Sequence, residues 1–159
     1  MEGAGKLKCI GVSKLISALF RDPFSIPPEE RRRKSSMVHD KLGYTNTISF
    51  AKYFEGVRTD IHWLVIGVPD LIEIEEDKVI ELKVASPTTK SMQERIGDVQ
   101  ANIYAHLGEF PKYRVDIFYW PKNKLIIGEV KQTDTERAIS DIIKALSIIE
   151  SFYEKRKKS

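Results

Sequence analysis

Residues 67–84 read GVPDLIEIEEDKVIELKV, a pattern typical of a β-hairpin that ends in a strongly apolar strand. Side chains alternate between the two faces of a strand, so Ile80 and Leu82 share one face of the second strand. Glu81 and Lys83 then share the other face. The second strand is therefore expected to present a carboxylate and an ammonium group side by side on one surface of the sheet.

The turn of this hairpin controls which residue of the first strand joins that charged face. A two-residue turn at positions 76–77 would place Asp70 opposite Lys83 and Ile72 opposite Glu81. Asp70 would then lie on the same face as Glu81. Opposed β-carbons are about 5 Å apart, so two carboxylates in this arrangement can share a hard cation. A three-residue turn would break the grouping.

Such a set of groups suits the hydrolysis of a phosphodiester. The reaction needs a water that has been made nucleophilic, and it builds negative charge on the phosphate. One or two Mg²⁺ or Mn²⁺ ions meet both needs, and carboxylate oxygens are suitable ligands for these ions. Lys83 can orient the attacking water or hold the phosphate as a compact positive charge.

Periodicity and turn residues predict the elements around this hairpin. The predicted helices are 11–20, 29–41 and 91–110 with a last helix from about Thr133 and Asp134, and the predicted strands are 47–57, 61–68, 70–75, 78–85, 113–120 and 124–130. The first four strands suggest an antiparallel meander. This order predicts an α/β or α+β fold, with a central mixed sheet flanked by helices, in one domain over residues 1–159.

The predicted helix 91–110 carries a polar pair beside its apolar stripe of Met92, Ile96, Val99, Ile103 and Leu107. Gln100 and Tyr104 are four residues apart, so they share a helical face and can reach the same patch of sheet. A pair at the edge of the core is the simplest explanation. Close to Glu81 and Lys83, these side chains are instead expected to support the site or contact a phosphate.

Composition excludes several other classes of protein. Hydrophobic residues make up 42% of the 159 residues and charged residues 31%, which is typical of a globular protein. No apolar run approaches the roughly 20 residues of a membrane span, and the first residues lack the apolar core of a signal peptide, so a cytoplasmic location is expected. Cys9 is the single cysteine, which rules out an internal disulfide within one chain.

Basic residues are clustered although the net charge is only +3. The two dense runs are Arg31-Arg32-Arg33-Lys34 and residues 155–158. A phosphate backbone responds to the local field rather than to the net charge, so these runs are candidates for contact with DNA. Taken singly, such runs are more often solvated helix faces.

Three motifs in order resemble the RecB-like branch of the PD-(D/E)XK nucleases. They are Gly67-Val68-Pro69-Asp70, then Glu81-Leu82-Lys83, then Gln100-Ala101-Asn102-Ile103-Tyr104. That branch also has a histidine on an upstream helix, and His39 occupies the corresponding place. The resemblance covers most of the chain and implies a restriction-endonuclease-like core. It also implies that Asp70, Glu81, the carbonyl of Leu82 and His39 bind metal.

The function implied by the resemblance is a Mg²⁺- or Mn²⁺-dependent deoxyribonuclease, an exonuclease that acts on DNA ends or single strands. CRISPR-associated relatives of the iron-sulfur type carry four cysteines that this chain lacks, so no iron-sulfur cluster is expected. The chain has no helicase motor, and any processive unwinding would have to come from a partner such as a helicase. A homo-oligomer is compatible with the sequence.

Several alternatives remain open at this level. A structure-specific endonuclease, as in Holliday-junction resolvases, shares the Asp and Glu-x-Lys core, and a DNA-binding subunit could keep the fold without cutting. Asp116 with Glu129-Val130-Lys131 forms a second candidate set on a predicted hairpin. It lacks the preceding proline and the Gln-x-x-x-Tyr motif, so it is interpreted as an ordinary amphipathic hairpin. His62 and His106 are expected to be structural.

Overall fold

The computed structural model describes residues 5–20 and 29–158. The helices are α1 (Val12–Phe20), α2 (Glu29–Leu42), α3 (Lys90–Leu107) and α4 (Thr135–Lys158). The strands are β1 (Leu7–Gly11), β2 (Phe50–Glu55), β3 (His62–Gly67), β4 (Leu71–Glu73), β5 (Lys78–Ala85), β6 (Lys112–Tyr119), β7 (Lys124–Ile126) and β8 (Lys131–Gln132). In these ranges no helix is long and apolar enough to cross a bilayer.

The four predicted helices are confirmed, with bounds that differ by a few residues at most. Helix α2 ends before Gly43, whose φ of 80° is the left-handed conformation that closes many helices. Helix α4 begins after Asp134, whose carboxylate Oδ1 accepts a hydrogen bond from the backbone N–H of Arg137 at 3.0 Å. This is the capping arrangement expected of an aspartate at that position.

The strands form two mixed sheets. The predicted antiparallel meander is confirmed for the pairs β2–β3 and β4–β5 but is wrong at the link between β3 and β4. In the first sheet β3 is central, with β2 antiparallel on one side and β1 parallel on the other. Strand β1 was not predicted, because its short sequence LKCIG at residues 7–11 alternates without a clear apolar face. Strands β3 and β4 do not pair, so the chain passes from one sheet to the other at residues 68–70.

The second sheet carries the predicted charged strand. Its order is β4-β5-β6-β7, with β8 added to β6. Strands β5 and β6 are parallel, and α3 forms the crossover between them. Helix α3 packs on β5 and β6 and also contacts α1 and α4. The helix with the Gln-x-x-x-Tyr motif therefore lies directly on the strand that carries Glu81 and Lys83.

The hairpin of β4 and β5 differs from the predicted register. Leu71 pairs with Ile80 and Glu73 with Lys78, so the turn contains the four residues 74–77 instead of two. Asp77 adopts a φ of 53°, which closes the longer turn. The predicted pairings of Asp70 with Lys83 and of Ile72 with Glu81 are therefore wrong. Because the shift is two residues, it keeps every side chain on its predicted face of the sheet.

Two apolar clusters cover the two faces of β5. Val79 joins the large core formed with α1, α3 and α4, whereas Ile80 and Leu82 join a smaller cluster with Tyr44 beneath α2. On α4, Ile142 and Ile149 are buried, whereas Ile143 is exposed. Small residues of α4 also occupy the core, because alanine allows close approach of neighbouring helices. These alanines are Ala138 and Ala145.

The predicted strand at 124–130 ends early, and its second half does not continue the hairpin. Strand β7 stops at Ile126, and the chain pairs again only at β8. The reason is Asp116, which is fully buried and accepts a hydrogen bond from the backbone N–H of Gly128 at 3.0 Å. That side-chain bond replaces a ladder bond and turns residues 127–130 out of the sheet.

Asp98 is the centre of a polar cluster that ties α3 to its neighbours. It accepts hydrogen bonds from the Tyr113 hydroxyl at 2.7 Å and from Lys131 Nζ at 3.0 Å. Arg137 Nη1 donates to its other oxygen at 2.9 Å. Burial raises the pKa of Asp98, but these donors outweigh burial and hold the pKa below its ordinary value.

We expect Asp98→Asn to lower the free energy of unfolding at pH 7 by about 1–2 kcal/mol, because charge-assisted bonds are lost. The paired carboxylate stabilises the fold above its unfolded pKa of about 4, and this contribution disappears as pH falls through the lower folded pKa. Denaturant titrations from pH 7 to pH 3 should show the wild type and variant converging in acid. Asp60→Asn, at an exposed position, is the control, and a constant difference across this range would contradict the prediction.

Candidate active site

Asp70 joins three elements at the point where the chain enters the second sheet. Its Oδ2 accepts a hydrogen bond from the backbone N–H of Leu82 at 2.8 Å and lies 3.2 Å from His39 Nε2. Burial raises the pKa of Asp70, but hydrogen bonds from Glu81 and His39 outweigh burial and lower it overall. Asp70 is therefore the ionised member of the site.

His39 reaches the same place from α2. Its Nε2 also lies 3.0 Å from the carbonyl oxygen of Leu82, and its Nδ1 lies 2.7 Å from the carbonyl oxygen of Ser35. Burial lowers the pKa of His39, but the hydrogen bond and charge of Asp70 outweigh burial and raise it. When the ring is neutral, a proton on Nδ1 that is donated to Ser35 leaves the lone pair of Nε2 directed at the site.

Glu81 is almost completely buried beside Asp70. Burial raises the pKa of Glu81 well above its ordinary value, and the Asp70 carboxylate raises it further. A proton shared between the two carboxyl groups relieves their repulsion in the absence of a cation. Among the residues that the structure describes, Glu81 Oε1 has no hydrogen-bond partner.

Lys83 stands beside Glu81, with 3.8 Å between its Nζ and Glu81 Oε2. The stem of Lys83 runs across α3 at Gly97, where an added Cβ would lie 3.2 Å from Lys83 Cγ. The same Cβ would lie 2.6 Å from Val115 Cγ1. A glycine at position 97 therefore lets α3 approach β5 and β6 closely and confines the lysine stem.

Gln100 and Tyr104 are both buried on the face of α3 that covers β5. Gln100 Nε2 donates a hydrogen bond to the Tyr104 hydroxyl at 3.0 Å. The Gln100 carbonyl oxygen has no hydrogen-bond partner within the described part of the chain. Burial raises the pKa of Tyr104, and the charge of Glu81 adds to this effect, so Tyr104 stays protonated. The Tyr104 ring packs against Gly67 at the end of β3.

An open cleft of about 940 Å³ lies between α2, β5 and the start of α3, and all of these groups except Tyr104 line it. The carboxyl groups form its floor and α2 forms one wall. The lining residues are Arg32, Lys34, Ser35, Ser36, His39, Asp70, Glu81, Leu82, Lys83, Val84, Ser86, Thr88, Thr89, Gln93, Gln100 and Trp120. Tyr104 does not line this cleft and instead lines a smaller pocket of about 430 Å³ with Cys9 and Ser13.

The first basic run contributes unequally to the cleft. Arg32 and Lys34 line its wall, whereas Arg33 is exposed and pairs with Glu29, with 3.1 Å between Arg33 Nη2 and Glu29 Oε1. The side chain of Arg31 lies outside the described residues, as do those of residues 157 and 158. Basic and carboxylate side chains that line one cleft can hold a polyanion next to bound cations.

The donor groups at this point are of the kinds that bind divalent cations. Within residues 5–20 and 29–158, no group of three or more His, Cys, Asp or Glu side chains is close enough together to form a ready metal site. Asp70 instead contacts His39 on one side and Glu81 on the other, so the three groups form a hydrogen-bonded row. The unpartnered oxygen of Glu81 and the repulsion between the Glu81 and Asp70 carboxyl groups are the features that a hard cation would relieve.

The second candidate set, Asp116 with Glu129 and Lys131, is not assembled. Asp116 is enclosed by Tyr44, whose hydroxyl donates to it at 2.8 Å, and by Arg114, whose Nε donates at 2.8 Å. Glu129 is exposed, and Lys131 Nζ pairs with Asp98 instead. Asp116 is therefore a structural acid with its hydrogen bonds filled.

Sequence patterns missed three contributors to the site region: Ser35, Gly97 and Trp120. The carbonyl of Ser35 orients His39, and its position four residues before the histidine on a helix is the signal that could have indicated it. Gly97 interrupts a helix and could have been interpreted as a close-packing position. No pattern indicates that Trp120 remains exposed at the cleft. His62, by contrast, stacks on Tyr53 away from the cleft.

We expect Gly97→Ala to lower the free energy of unfolding by about 1–3 kcal/mol, because an added Cβ would collide with Val115 and crowd Lys83. A glycine-to-alanine change within a helix otherwise stabilises the fold by about 1 kcal/mol. A decrease in the free energy of unfolding would therefore indicate the close contact with Val115. Gly11→Ala, whose Cβ would meet no atom closer than 3.7 Å, is the control in the same denaturant titration. A stabilised Gly97→Ala protein would show that α3 has room to move.

No family model and no curated protein matches the sequence. Among solved structures, SSO0001 aligns with a TM-score of 0.65 at 14% identity, over 89% of this chain and 75% of SSO0001. An alkaline exonuclease (LHK-Exo) from Laribacter hongkongensis aligns with a TM-score of 0.50 at 9% identity, over 98% of this chain and 94% of the exonuclease. The chain thus has mixed sheets flanked by helices in a PD-(D/E)XK-like fold.

Proposed function

We propose that this protein is a Mg²⁺- or Mn²⁺-dependent deoxyribonuclease that hydrolyses phosphodiester bonds. The observation that carries the proposal is the pairing of Asp70 with a buried, incompletely hydrogen-bonded Glu81 at the floor of a cleft. The cationic side chains of Arg32, Lys34 and Lys83 line the same cleft. This arrangement supports a site in which a polyanion binds next to a bound divalent cation.

Four groups are proposed to hold the cation: the Asp70 and Glu81 carboxylates, the Leu82 carbonyl and His39 Nε2. When bound there, Mg²⁺ or Mn²⁺ would lower the pKa of a coordinated water and neutralise charge that builds on the phosphate. The backbone N–H of Leu82 holds Asp70 in place, and the carbonyl of Ser35 does the same for His39. Two of the four proposed ligands, Asp70 and His39, are thus oriented by main-chain groups that cannot rotate away.

Lys83 is proposed to hold the scissile phosphate or orient the attacking water, because its ammonium group reaches the cleft beside Glu81. Gln100 lines the same cleft and offers a carbonyl oxygen, which can accept a hydrogen bond from the water or from a nucleotide. Tyr104 lies behind Gln100 and receives its amide hydrogen bond. We therefore propose that Tyr104 positions Gln100 instead of touching DNA itself.

Action on DNA ends or single strands is the form of the activity that we favour. An alkaline exonuclease shares the fold across nearly the whole chain, which supports exonuclease action without deciding it. Incubation with end-labelled linear DNA and with closed circular DNA, with and without Mn²⁺, tests the choice directly. Loss of the linear substrate alone supports the exonuclease, whereas cutting of circles would assign a structure-specific endonuclease.

We expect Asp70→Ala and Glu81→Ala to lose metal affinity and to reduce turnover by about 100-fold or more, because each removes a charged ligand. Lys83→Ala should keep metal affinity and reduce turnover by a similar factor, since it acts on the phosphate or water. Mn²⁺ titration calorimetry and cleavage of labelled DNA measure the two effects separately. All three variants should fold, as circular dichroism would verify.

The control for these variants is Glu129→Ala, which removes an exposed carboxylate from the second candidate set. Its turnover and metal affinity should stay near those of the wild type. A chelator should abolish cleavage by the wild type. Full activity in Glu81→Ala together with loss in Glu129→Ala would move the active site and reject the proposal, as would undiminished cleavage with metal excluded.

We expect DNA binding to weaken steeply with salt, because Arg32 and Lys34 would release counterions when they meet phosphates. Replacing both by glutamine should reduce the slope of log affinity against log salt by roughly 1.4–1.8. Fluorescence anisotropy in chelator measures this slope without cleavage. Lys6→Gln with Lys144→Gln, two exposed sites outside the cleft, is the matched control. An equal change in both double variants would show that α2 has no special part in binding.

A further inference from the structure

The two tryptophans of the chain have opposite environments. Trp63 is 2% exposed and belongs to the large core, whereas Trp120 is 40% exposed and lines the cleft that contains Glu81 and Lys83. A large aromatic ring left in water forgoes the stabilisation that its burial would contribute. When such a ring lies in a cleft with charged groups, contact with a ligand is the role that explains its position.

Neighbouring backbone holds Trp120 in place. Tyr119 ends β6 and pairs with Ala85 of β5, so the residue before the tryptophan is part of the sheet. The chain then forms a 3₁₀ turn over Trp120–Lys122. Asn123 adopts a φ of 45° and donates its backbone N–H to the carbonyl oxygen of Trp120. The ring is therefore carried on a short, hydrogen-bonded turn at the end of the central strands.

This turn lies near the proposed scissile phosphate. Lys83 pairs with Ile117, three residues before Trp120 on β6. At about 3.3 Å per residue, Trp120 is at most about 10 Å farther along the strand direction than Lys83. That distance corresponds to about three phosphates of one B-form strand, and to fewer phosphates of an extended single strand. A nucleotide within about three positions of the cleavage position can therefore reach the ring.

Cations accompany the ring. Lys34 Nζ lies 5.1 Å from the centroid of the Trp120 ring, and Lys34 and Arg32 both line the same cleft. An aromatic face combined with ammonium and guanidinium groups matches the two parts of a nucleotide, since the base stacks and the phosphate is attracted. This combination is the usual chemistry of sites that bind single-stranded nucleic acid.

A base inside a duplex already has both faces covered by its neighbours, so away from the duplex ends only an unpaired base can stack on a protein ring. We propose that Trp120 is a stacking platform for an unpaired base, and that it makes single-stranded DNA the preferred ligand of the cleft. The proposal rests on the proposed function only in taking DNA as the substrate. It assigns Trp120 to binding and not to the chemical step.

The alternative is that the ring only braces α2 through its contact with Lys34. A brace would affect the shape of the whole cleft. Its loss would therefore weaken the binding of single-stranded and duplex DNA alike and would lower the melting temperature of the protein. A stacking platform would act on unpaired DNA alone. The two explanations therefore predict different ratios of affinity for the two forms of DNA.

The test measures binding of fluorescein-labelled oligo(dT) and of a duplex of the same length, with chelator present so that nothing is cut. Trp120→Ala should weaken oligo(dT) binding about tenfold, the size of one lost base stack, and change duplex binding less than about twofold. Trp120→Phe keeps an aromatic face and should retain most of the affinity. Tyr53→Ala, at an exposed aromatic residue outside the cleft, should change neither affinity.

Intrinsic fluorescence provides a second readout. Oligo(dT) should quench part of the tryptophan emission of the wild type, and Trp120→Phe should remove that quenching because Trp63 is buried. If Trp120→Ala lost affinity for both forms of DNA equally and had a lower melting temperature, the proposal would be overturned in favour of the brace. Wild-type protein that prefers oligo(dT) through Trp120 but cleaves no DNA with Mn²⁺ would reject the nuclease and leave the stacking platform supported.

Discussion

A single carboxylate oxygen, Asp70 Oδ2, connects the segment that follows β3, the backbone of β5 and helix α2. It accepts a hydrogen bond from the Leu82 N–H at 2.8 Å and lies 3.2 Å from His39 Nε2. Such charge-assisted bonds are strong, and a partly buried carboxylate without them would be destabilising. Helix α2 must therefore lie where His39 meets this oxygen, and this position sets the cleft wall and the apolar cluster beneath α2.

The buried acids of this fold differ in how completely their oxygens are hydrogen-bonded. Asp116 accepts bonds from the Tyr44 hydroxyl, the Arg114 side chain and a backbone N–H. Glu150 is equally buried and accepts backbone N–H groups of the turn at residues 57–59. Both acids serve the fold. Glu81 is the exception, because one oxygen has no partner among residues 5–20 and 29–158. Functional sites commonly retain such unfavourable electrostatics at a cost in stability.

Local pattern was sufficient for the helices and for the chemistry of β5. Alternation along residues 78–85 places Glu81 and Lys83 on one face. This prediction does not depend on the hairpin register, which was predicted wrongly by two residues. A shift of two residues preserves faces, whereas a shift of one would have separated Asp70 from Glu81. The four-residue spacing of Gln100 and Tyr104 likewise brought both to one buried face. These features depend only on the fixed periods of helix and strand.

Long-range contacts governed the features that have no local period. Strand β1 exists because β3 offers it a parallel edge, and residues 7–11 alone carry no such signal. The turn at residues 74–77, the burial of Asp116 and the exposure of Trp120 likewise depend on which partner lies opposite each residue. Amino-acid order establishes the helices and the charged face of β5. Pairing register and burial of individual side chains follow from packing free energies summed over distant segments, which no local window of sequence contains.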